Sequence, residues 1–288
     1  MIYVICGPTG SGKTEIAKIL SNKYDAPIIN ADAFQIYREM NIGTAKISKD
    51  DPYYQKHYLL DIKSPDEEFS VMEYQKLFRE TVDKLLKDNK DIIVCGGTGL
   101  YIRASVYDYE FEQQQEDDVS DLEQMNNEEL YALLTKLDPE ATKTIHMNNR
   151  KRVIRAISIA RNNDHTKSEM INKQNHELIY PEIRFLMISP EREKLYQNLN
   201  KRVDLMFENG LVEETNNLLN KYQLSKTAQA AIGYKEIIDA LENNKDLQSA
   251  KELIKQRTRN YAKRQVTFFK HQLPVEIFEN KEELLKAL

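Results

Sequence analysis

Short, wholly apolar runs alternate with longer stretches of helical period along most of this chain. Ile2-Tyr-Val-Ile-Cys6 is apolar throughout and breaks at Gly7. Helical patterning follows from Glu15 to Tyr24, and Ala26-Pro-Ile-Ile-Asn-Ala-Asp32 reads as a second short strand that ends on a carboxylate. The next stretch, Ala33 to Lys46, has no clean period and predicts loop with a short helix, while His57 to Ile62 predicts a further strand or strand edge. From Ser70 to Lys87 the apolar positions Val71, Tyr74, Leu77, Phe78, Val82, Leu85 and Leu86 fall near a 3.6-residue spacing, which predicts an amphipathic helix. Asp91-Ile-Ile-Val-Cys-Gly-Gly-Thr-Gly-Leu-Tyr101 is an apolar strand broken by glycines, the pattern of a buried parallel strand feeding a ligand-facing loop.

Past Tyr107 the rhythm changes. Asp108 to Glu129 holds ten acidic residues and no lysine or arginine, and Asn126 to Ile159 predicts helices separated near Asp138-Pro139 with no strand between them. Strand character returns at Glu182 to Pro190, followed by helices over Glu191 to Asn220, Ala231 to Leu241 and Leu247 to Phe269.

The first apolar run ends in Gly7-Pro-Thr-Gly-Ser-Gly-Lys-Thr14, whose spacing fits a phosphate-binding loop between strand and helix. Glycines at such a turn let backbone N–H groups close around phosphate oxygens at the N-terminus of the next helix. Gly7, Pro8, Thr9, Gly10, Ser11 and Gly12 are therefore expected to cradle a diphosphate or nucleoside triphosphate. Lys13 is expected to bind phosphate and the Thr14 hydroxyl a Mg²⁺. A strand, a phosphate loop and alternating helices predict an α/β fold of the P-loop NTPase-like kind, with a mainly parallel sheet wrapped by helices. The interrupted rhythm places a mostly helical insertion at 111–179, within a catalytic core of 1–110 and 180–288. An aspartate at the C-terminal end of a parallel strand faces the crevice where such folds bind ligands, which singles out Asp32; an N-cap is its plainer role.

Composition narrows the classes. Only 9 glycines and 8 prolines in 288 residues leave no room for a long flexible linker. Cys6 and Cys95 both sit in apolar runs just ahead of glycines, where reduced core thiols are expected, and cytoplasmic residence follows. No basic and apolar leader precedes the first strand, and no apolar run approaches about eighteen residues, so neither signal peptide nor membrane span is expected. A net charge of −5 excludes a uniformly basic nucleic-acid coat. Basic residues are nevertheless concentrated, with six and no acid between Lys143 and Arg161, and a second group from Lys251 to Lys270.

With these motifs in order, the chain resembles the bacterial type of the tRNA dimethylallyltransferase (isopentenyl-diphosphate:tRNA isopentenyltransferase) family. The resemblance rests on Gly7 to Thr14, on Asp32-Ala-Phe-Gln-Ile-Tyr37 with Asn41-Ile-Gly-Thr-Ala-Lys46, and on Gly96-Gly-Thr-Gly-Leu-Tyr101. Leu137 to Ala141, Ile145 to Ala156, Gly210-Leu-Val-Glu-Glu214, Ala231-Ile-Gly-Tyr-Lys-Glu236 and Gln256 to Gln265 extend it. Ala33 stands where serine is common, Met147 and Asn149 replace the usual Pro and Asp, and Phe268 replaces tryptophan.

The reaction implied by the resemblance is transfer of a dimethylallyl group from dimethylallyl diphosphate to N6 of the adenosine just 3′ of the anticodon, with release of diphosphate. It implies Asp32 as general base, with Lys13, Thr14 and a Mg²⁺ at the leaving group. Asp32, Ala33, Phe34, Gln35 and Thr98 would meet the target nucleotide. Lys151, Arg152, Val153, Ile154 and Arg155 on the insertion would contact the tRNA. On the late helix Arg257, Arg259, Lys263 and Arg264 would serve either RNA phosphates or ion pairs with acidic helices. The partners expected are a tRNA anticodon stem-loop and dimethylallyl diphosphate, with no membrane, for a chain acting as a monomer. Two other readings share the loop. A small-metabolite or nucleotide kinase would grip ATP, though the strand Ile92 to Cys95 ends in glycines without the acidic residue that often helps hold Mg²⁺. An adenylate isopentenyltransferase acting on free nucleotide would not need the basic surfaces.

Overall fold

The computed structural model describes residues 1–111, 119–162, 166–169 and 177–288. The acidic positions Glu112, Glu116, Asp117 and Asp118 lie outside the described residues. Two compact units divide the chain, one made of Met1–Val106 with Tyr180–Leu288 and the other of Tyr107–Ile179.

In the first unit the short apolar runs form six parallel strands: β1 (Ile2–Cys6), β2 (Ile28–Asn30), β3 (His57–Tyr58), β4 (Ile92–Cys95), β5 (Ile183–Ile188) and β6 (Glu276–Phe278). Their order across the sheet is β3-β2-β4-β1-β5-β6. β1 lies between β4 and β5, with Ile2 opposite both Ile92 and Ile183. Buried on both faces, β1 needs apolar side chains throughout, which is why it reads as a run rather than an alternation. Helices supply the cover. In α1 (Lys13–Lys23), Ile16, Ala17 and Leu20 pack with Ile5, Ile28 and Ile93. In α2 (Val71–Lys87), Tyr74, Phe78, Val82 and Leu85 are buried, and Ser70 and Glu73 close a reciprocal capping box that fixes where the helix starts. The short α3 (Gly99–Val106) leaves the glycine loop after β4.

The second unit is helical: α4 (Ser120–Gln124), α5 (Asn127–Leu137) and α6 (Arg150–Asn162) bury Leu122, Leu130, Leu134, Val153, Ala156 and Ile157 in a core of their own. Its chain ends are tied by an antiparallel bridge between Tyr107 and Leu178. Back in the first unit come α7 (Arg192–Glu208), α8 (Leu211–Lys221), α9 (Lys226–Gln229), α10 (Tyr234–Glu242), α11 (Leu247–Gln272) and α12 (Lys281–Lys286).

Three local expectations are corrected. The strand predicted over His57 to Ile62 stops after Tyr58, because Leu59 (φ 57°) and Asp61 (φ 54°) adopt left-handed backbone that no strand accommodates. Ala33 to Lys46 forms turns and no helix, with Glu39 (φ 63°) and Ala45 (φ 46°) breaking any right-handed run. The helical stretch Glu191 to Asn220 is two helices, parted at Gly210 (φ 92°). Both cysteines are free thiols, and burial pushes Cys6 up to about 12 and Cys95 up to about 11, so neither is a ready nucleophile at neutral pH.

Candidate active site

Parallel strands deliver their C-terminal ends to one edge of the sheet, and here β2, β4 and β1 are neighbours. Asp32, the Gly96–Thr98 loop and the phosphate loop are consequently placed side by side, at the edge where such sheets bind ligands.

Gly7 is required where it stands: its φ is 138°, and a Cβ there would lie 2.3 Å from the Ile188 carbonyl oxygen. Gly12, also left-handed, precedes α1 with no side-chain cap, so the first amides of that helix are left for an anion. The Lys13 Nζ donates to the Pro8 carbonyl at 2.7 Å, folding the side chain back over the loop. Burial holds the Lys13 ammonium below its ordinary pKa, with the Arg202 charge acting in the same direction and Cys95, Asp32 and Cys6 opposing it. Such a poorly solvated cation gains more than an exposed one from meeting an anion. The Ser11 hydroxyl is buried and takes no hydrogen bond among the described residues. Thr14 is exposed on the first turn of α1.

Asp32 serves two ends. Its Oδ1 accepts from the Phe34 N–H at 3.0 Å, the turn-capping role, while Oδ2 has no hydrogen-bond partner among the described residues. Thr98 Oγ1 accepts from the Ala33 N–H at 3.0 Å, which ties the loop after β4 to the loop after β2. Gln35 donates through Nε2 to the Thr44 carbonyl at 3.1 Å, so its amide oxygen is the group left to read a ligand. Beside Asp32 lies a cavity of about 220 Å³, bordered on its polar side by Thr9, Asp32, Arg202 and Arg264 and on its apolar side by Val203, Met206, Ile232 and Ile254; Thr98 and Gln35 do not line it. It is smaller than the roughly 300–1,000 Å³ of most small-molecule sites, so it suits a compact apolar group beside a polar head.

A metal would find few protein ligands: among the described residues no cluster of three or more His, Cys, Asp or Glu stands ready to hold one. The exposed Thr14 hydroxyl at the loop fits a Mg²⁺ of the kind that keeps most of its shell as water and phosphate oxygen.

On the second unit, α6 presents Lys151, Arg152 and Arg155 to solvent. Val153 is fully buried in that unit's core, so its side chain holds the helix and offers no face to RNA, while Ile154 is half-buried and packs against the same core. The other basic residues of the run are engaged. Arg150 donates to Asn127 and to the Leu122 and Glu123 carbonyls, Arg161 pairs with Asp121, and Lys143 with Glu140. Lys167 is half-buried beside this group: burial, and then the Arg152 and Arg155 charges, lower its pKa, with Asp138 opposing. On α11 the basic residues divide likewise. Arg257 pairs with buried Glu236 and Arg259 donates to Asn200, whereas Arg264 stacks over Tyr261 and Lys263 has no ion pair among the described residues.

A family model described as IPP transferase matches residues 35–272. The chain belongs to the IPP transferase family. A tRNA dimethylallyltransferase from Anoxybacillus flavithermus is 40% identical over 280 residues, covering 96% of this chain and 90% of the relative. One from Acetivibrio thermocellus is 40% identical over 306 residues, covering 100% and 96%. Among solved structures, a tRNA Δ2-isopentenylpyrophosphate transferase from Staphylococcus epidermidis superposes with a TM-score of 0.70 at 36% identity, over 99% of this chain and 96% of that one. A eukaryotic dimethylallyltransferase described as acting on tRNA reaches a TM-score of 0.83 at 26% identity, over 99% and 75%.

Within this IPP transferase fold, two residues that carry no role in the sequence-based reading stand at the centre of the site. Arg202 on α7 donates to the Thr44 carbonyl at 3.3 Å and borders the cavity; burial lowers its pKa while Asp32 opposes the shift. Gln265 on α11 is 5% exposed, accepts from the Thr9 N–H at 2.8 Å and donates to the Gly97 carbonyl at 2.8 Å, so one amide joins the two glycine loops. The signal for both is a polar residue on the apolar stripe of an amphipathic helix. Arg202 falls three after Leu199 and four before Met206, and Gln265 four before Phe269, all buried.

Proposed function

We propose that this chain prenylates tRNA: a dimethylallyl group passes from dimethylallyl diphosphate to N6 of the adenosine just 3′ of the anticodon, and diphosphate leaves. The observation that carries the reading is the small cavity in which a phosphate loop, an arginine and a carboxylate meet an apolar wall, the arginine having no ion pair and the carboxylate one unengaged oxygen among the described residues.

The diphosphate of the substrate would take the loop amides, Lys13 and Arg202, all fixed before the reaction, as preorganised donors for the charge that grows as the C1–O bond breaks. A Mg²⁺ on Thr14 would neutralise part of the same charge. Val203, Met206, Ile232 and Ile254 would hold the prenyl tail and keep water from its C1, where hydrolysis competes with transfer. The target base would leave its stack to reach the crevice, with Gln35 and Phe34 beside it. N6 attacks C1, the C1–O electron pair goes to diphosphate, and the N6 proton goes to Oδ2 of Asp32.

Lys151, Arg152 and Arg155, solvated and with no ion pair among the described residues, support a polyanionic acceptor over a free nucleotide. A kinase reading gains nothing at β4, whose end is Cys95-Gly96-Gly97. Incubation with radiolabelled dimethylallyl diphosphate decides among them, offering unmodified tRNA, AMP, or ATP with candidate acceptors. Label in tRNA alone is the expected result. Label in AMP at comparable efficiency, or phosphoryl transfer from ATP, overturns the reading.

A further inference from the structure

Three motifs far apart in sequence, Asn41 to Lys46, Gly210 to Glu214 and Ala231 to Glu236, meet at one carboxylate. Glu214, in the first turn of α8, accepts through Oε1 from the Tyr234 hydroxyl at 2.6 Å and from the N–H groups of Ile42 and Gly43 at 2.9 and 3.3 Å. Its Oε2 accepts from the N–H groups of Asn41 and Ile42 at 3.1 and 3.0 Å. The Tyr234 hydroxyl in turn accepts from the Gly43 N–H at 3.2 Å. Tyr234 is fully buried, and burial together with the Glu214 charge raises its pKa, so the hydroxyl stays protonated and keeps donating. Gly43 lies flat on the ring: a Cβ there would come within 2.4 Å of Tyr234 Cε2.

This clamp has a consequence for the site one residue further on. The Thr44 carbonyl accepts from both Gln35 Nε2, at 3.1 Å, and Arg202 Nη2, at 3.3 Å. A single peptide oxygen therefore sets the direction of the guanidinium that borders the cavity, and it also engages the Gln35 amide. The loop would not hold that pose unaided. Ala45 sits at φ 46°, a left-handed conformation that the Cβ of a non-glycine residue disfavours. Charge-assisted hydrogen bonds that three successive amides donate to the Glu214 carboxylate, roughly twice as strong as neutral ones, offset that cost.

We propose that Glu214 and Tyr234 are positioning residues: they lock Asn41–Thr44 so that the Thr44 carbonyl aims Arg202 at the diphosphate. The proposal rests on the prenyl-transfer reading for the identity of the ligands, but its test does not need turnover.

The test measures inorganic diphosphate binding by calorimetry to the full chain, to Tyr234→Phe, which keeps the ring and its packing, and to Glu214→Gln, which keeps the shape and removes the charge. Each is also made in an Arg202→Lys background, and thermal midpoints are recorded throughout. Each single substitution should weaken diphosphate binding about tenfold, the order of one lost hydrogen bond. In the Arg202→Lys background the same substitution should weaken it less than about twofold, because the group being positioned is already gone. Steady-state turnover should show the loss in kcat and in KM for dimethylallyl diphosphate, with KM for tRNA held. Should Glu214→Gln fail to fold, Tyr234→Phe carries the same comparison. Diphosphate affinity unchanged in a folded Tyr234→Phe, or losses that multiply independently of Arg202, overturns the proposal and leaves a loop staple. A wild-type chain that binds diphosphate with this coupling yet prenylates no tRNA overturns the functional reading instead.

Discussion

Cations at the phosphate loop and cations on α6 live under opposite conditions. Lys13 and Arg202 are drawn into the core unit, are partly stripped of water, and have their direction fixed by the Pro8 and Thr44 carbonyls. Lys151, Arg152 and Arg155 stand in solvent with no ion pair among the described residues. A buried and oriented charge discriminates between charge distributions, so it can favour a transition state over a ground state. A solvated one contributes diffuse attraction that salt screens. Under the proposed function the difference divides the labour of one chain: rate would come from the strand-end crevice, and grip on a polyanion from the insertion helix.

Among the groups proposed to hold the leaving diphosphate, Lys13→Ala should do the most damage. The expected loss in kcat is about 10²–10³-fold, the scale for removing one preorganised donor. Filter binding should show tRNA affinity retained. Comparable losses of diphosphate and tRNA affinity in a folded variant would erase the contrast between the two regions.

Gln265→Leu sharpens the comparison from inside the crevice. It keeps an apolar side chain on the buried stripe but leaves the Thr9 N–H and the Gly97 carbonyl without their partner. Each buried unsatisfied group costs about 1–3 kcal/mol, so a thermal melt should record lower stability together with a loss of turnover of about tenfold or more. Unchanged stability and turnover would mean that the two loops keep their positions without this amide.

The smallest catalytic effect belongs to α6. Lys151→Ala with Arg155→Ala should weaken tRNA binding and lower the slope of log affinity against log salt by roughly two, about one counterion per lost phosphate contact. The rate at saturating tRNA should be retained. An unchanged salt slope would remove these side chains from the tRNA interface.

The parts of this division visible in the sequence were those written in local pattern. Gly7 to Thr14 is contiguous, and its glycines announce a backbone that few other residues could adopt. Asp32 was legible because it closes an apolar run. The exposed part of 151–155 was legible as charge, but the helical period also buries Val153, which a charge count passes over. Arg202, Gln265 and Glu214 were not legible as site residues, because each acts across at least 150 residues of chain separation through partners that only the fold assembles. β6 and α12 escaped for a different reason. Glu276–Phe278 is a three-residue edge strand with two exposed positions, so it shows neither an apolar run nor an alternation long enough to read. The break at Gly210 and the left-handed Leu59 and Asp61 are backbone choices that set element boundaries without disturbing the hydrophobic pattern.

The central claim is that the crevice performs the chemistry with Asp32 as base, and Asp32→Asn tests it most directly. The substitution keeps size and the Oδ1 acceptor that the Phe34 N–H uses, while removing basicity at the other oxygen. In a single-turnover assay at saturating tRNA and dimethylallyl diphosphate, binding differences drop out and the transfer step is read alone. The account predicts a rate lower by roughly 10²–10⁴-fold, the contribution typical of general-base assistance, with both substrates still bound. Transfer by Asp32→Asn at a near wild-type rate would contradict it and reduce Asp32 to the cap of its turn.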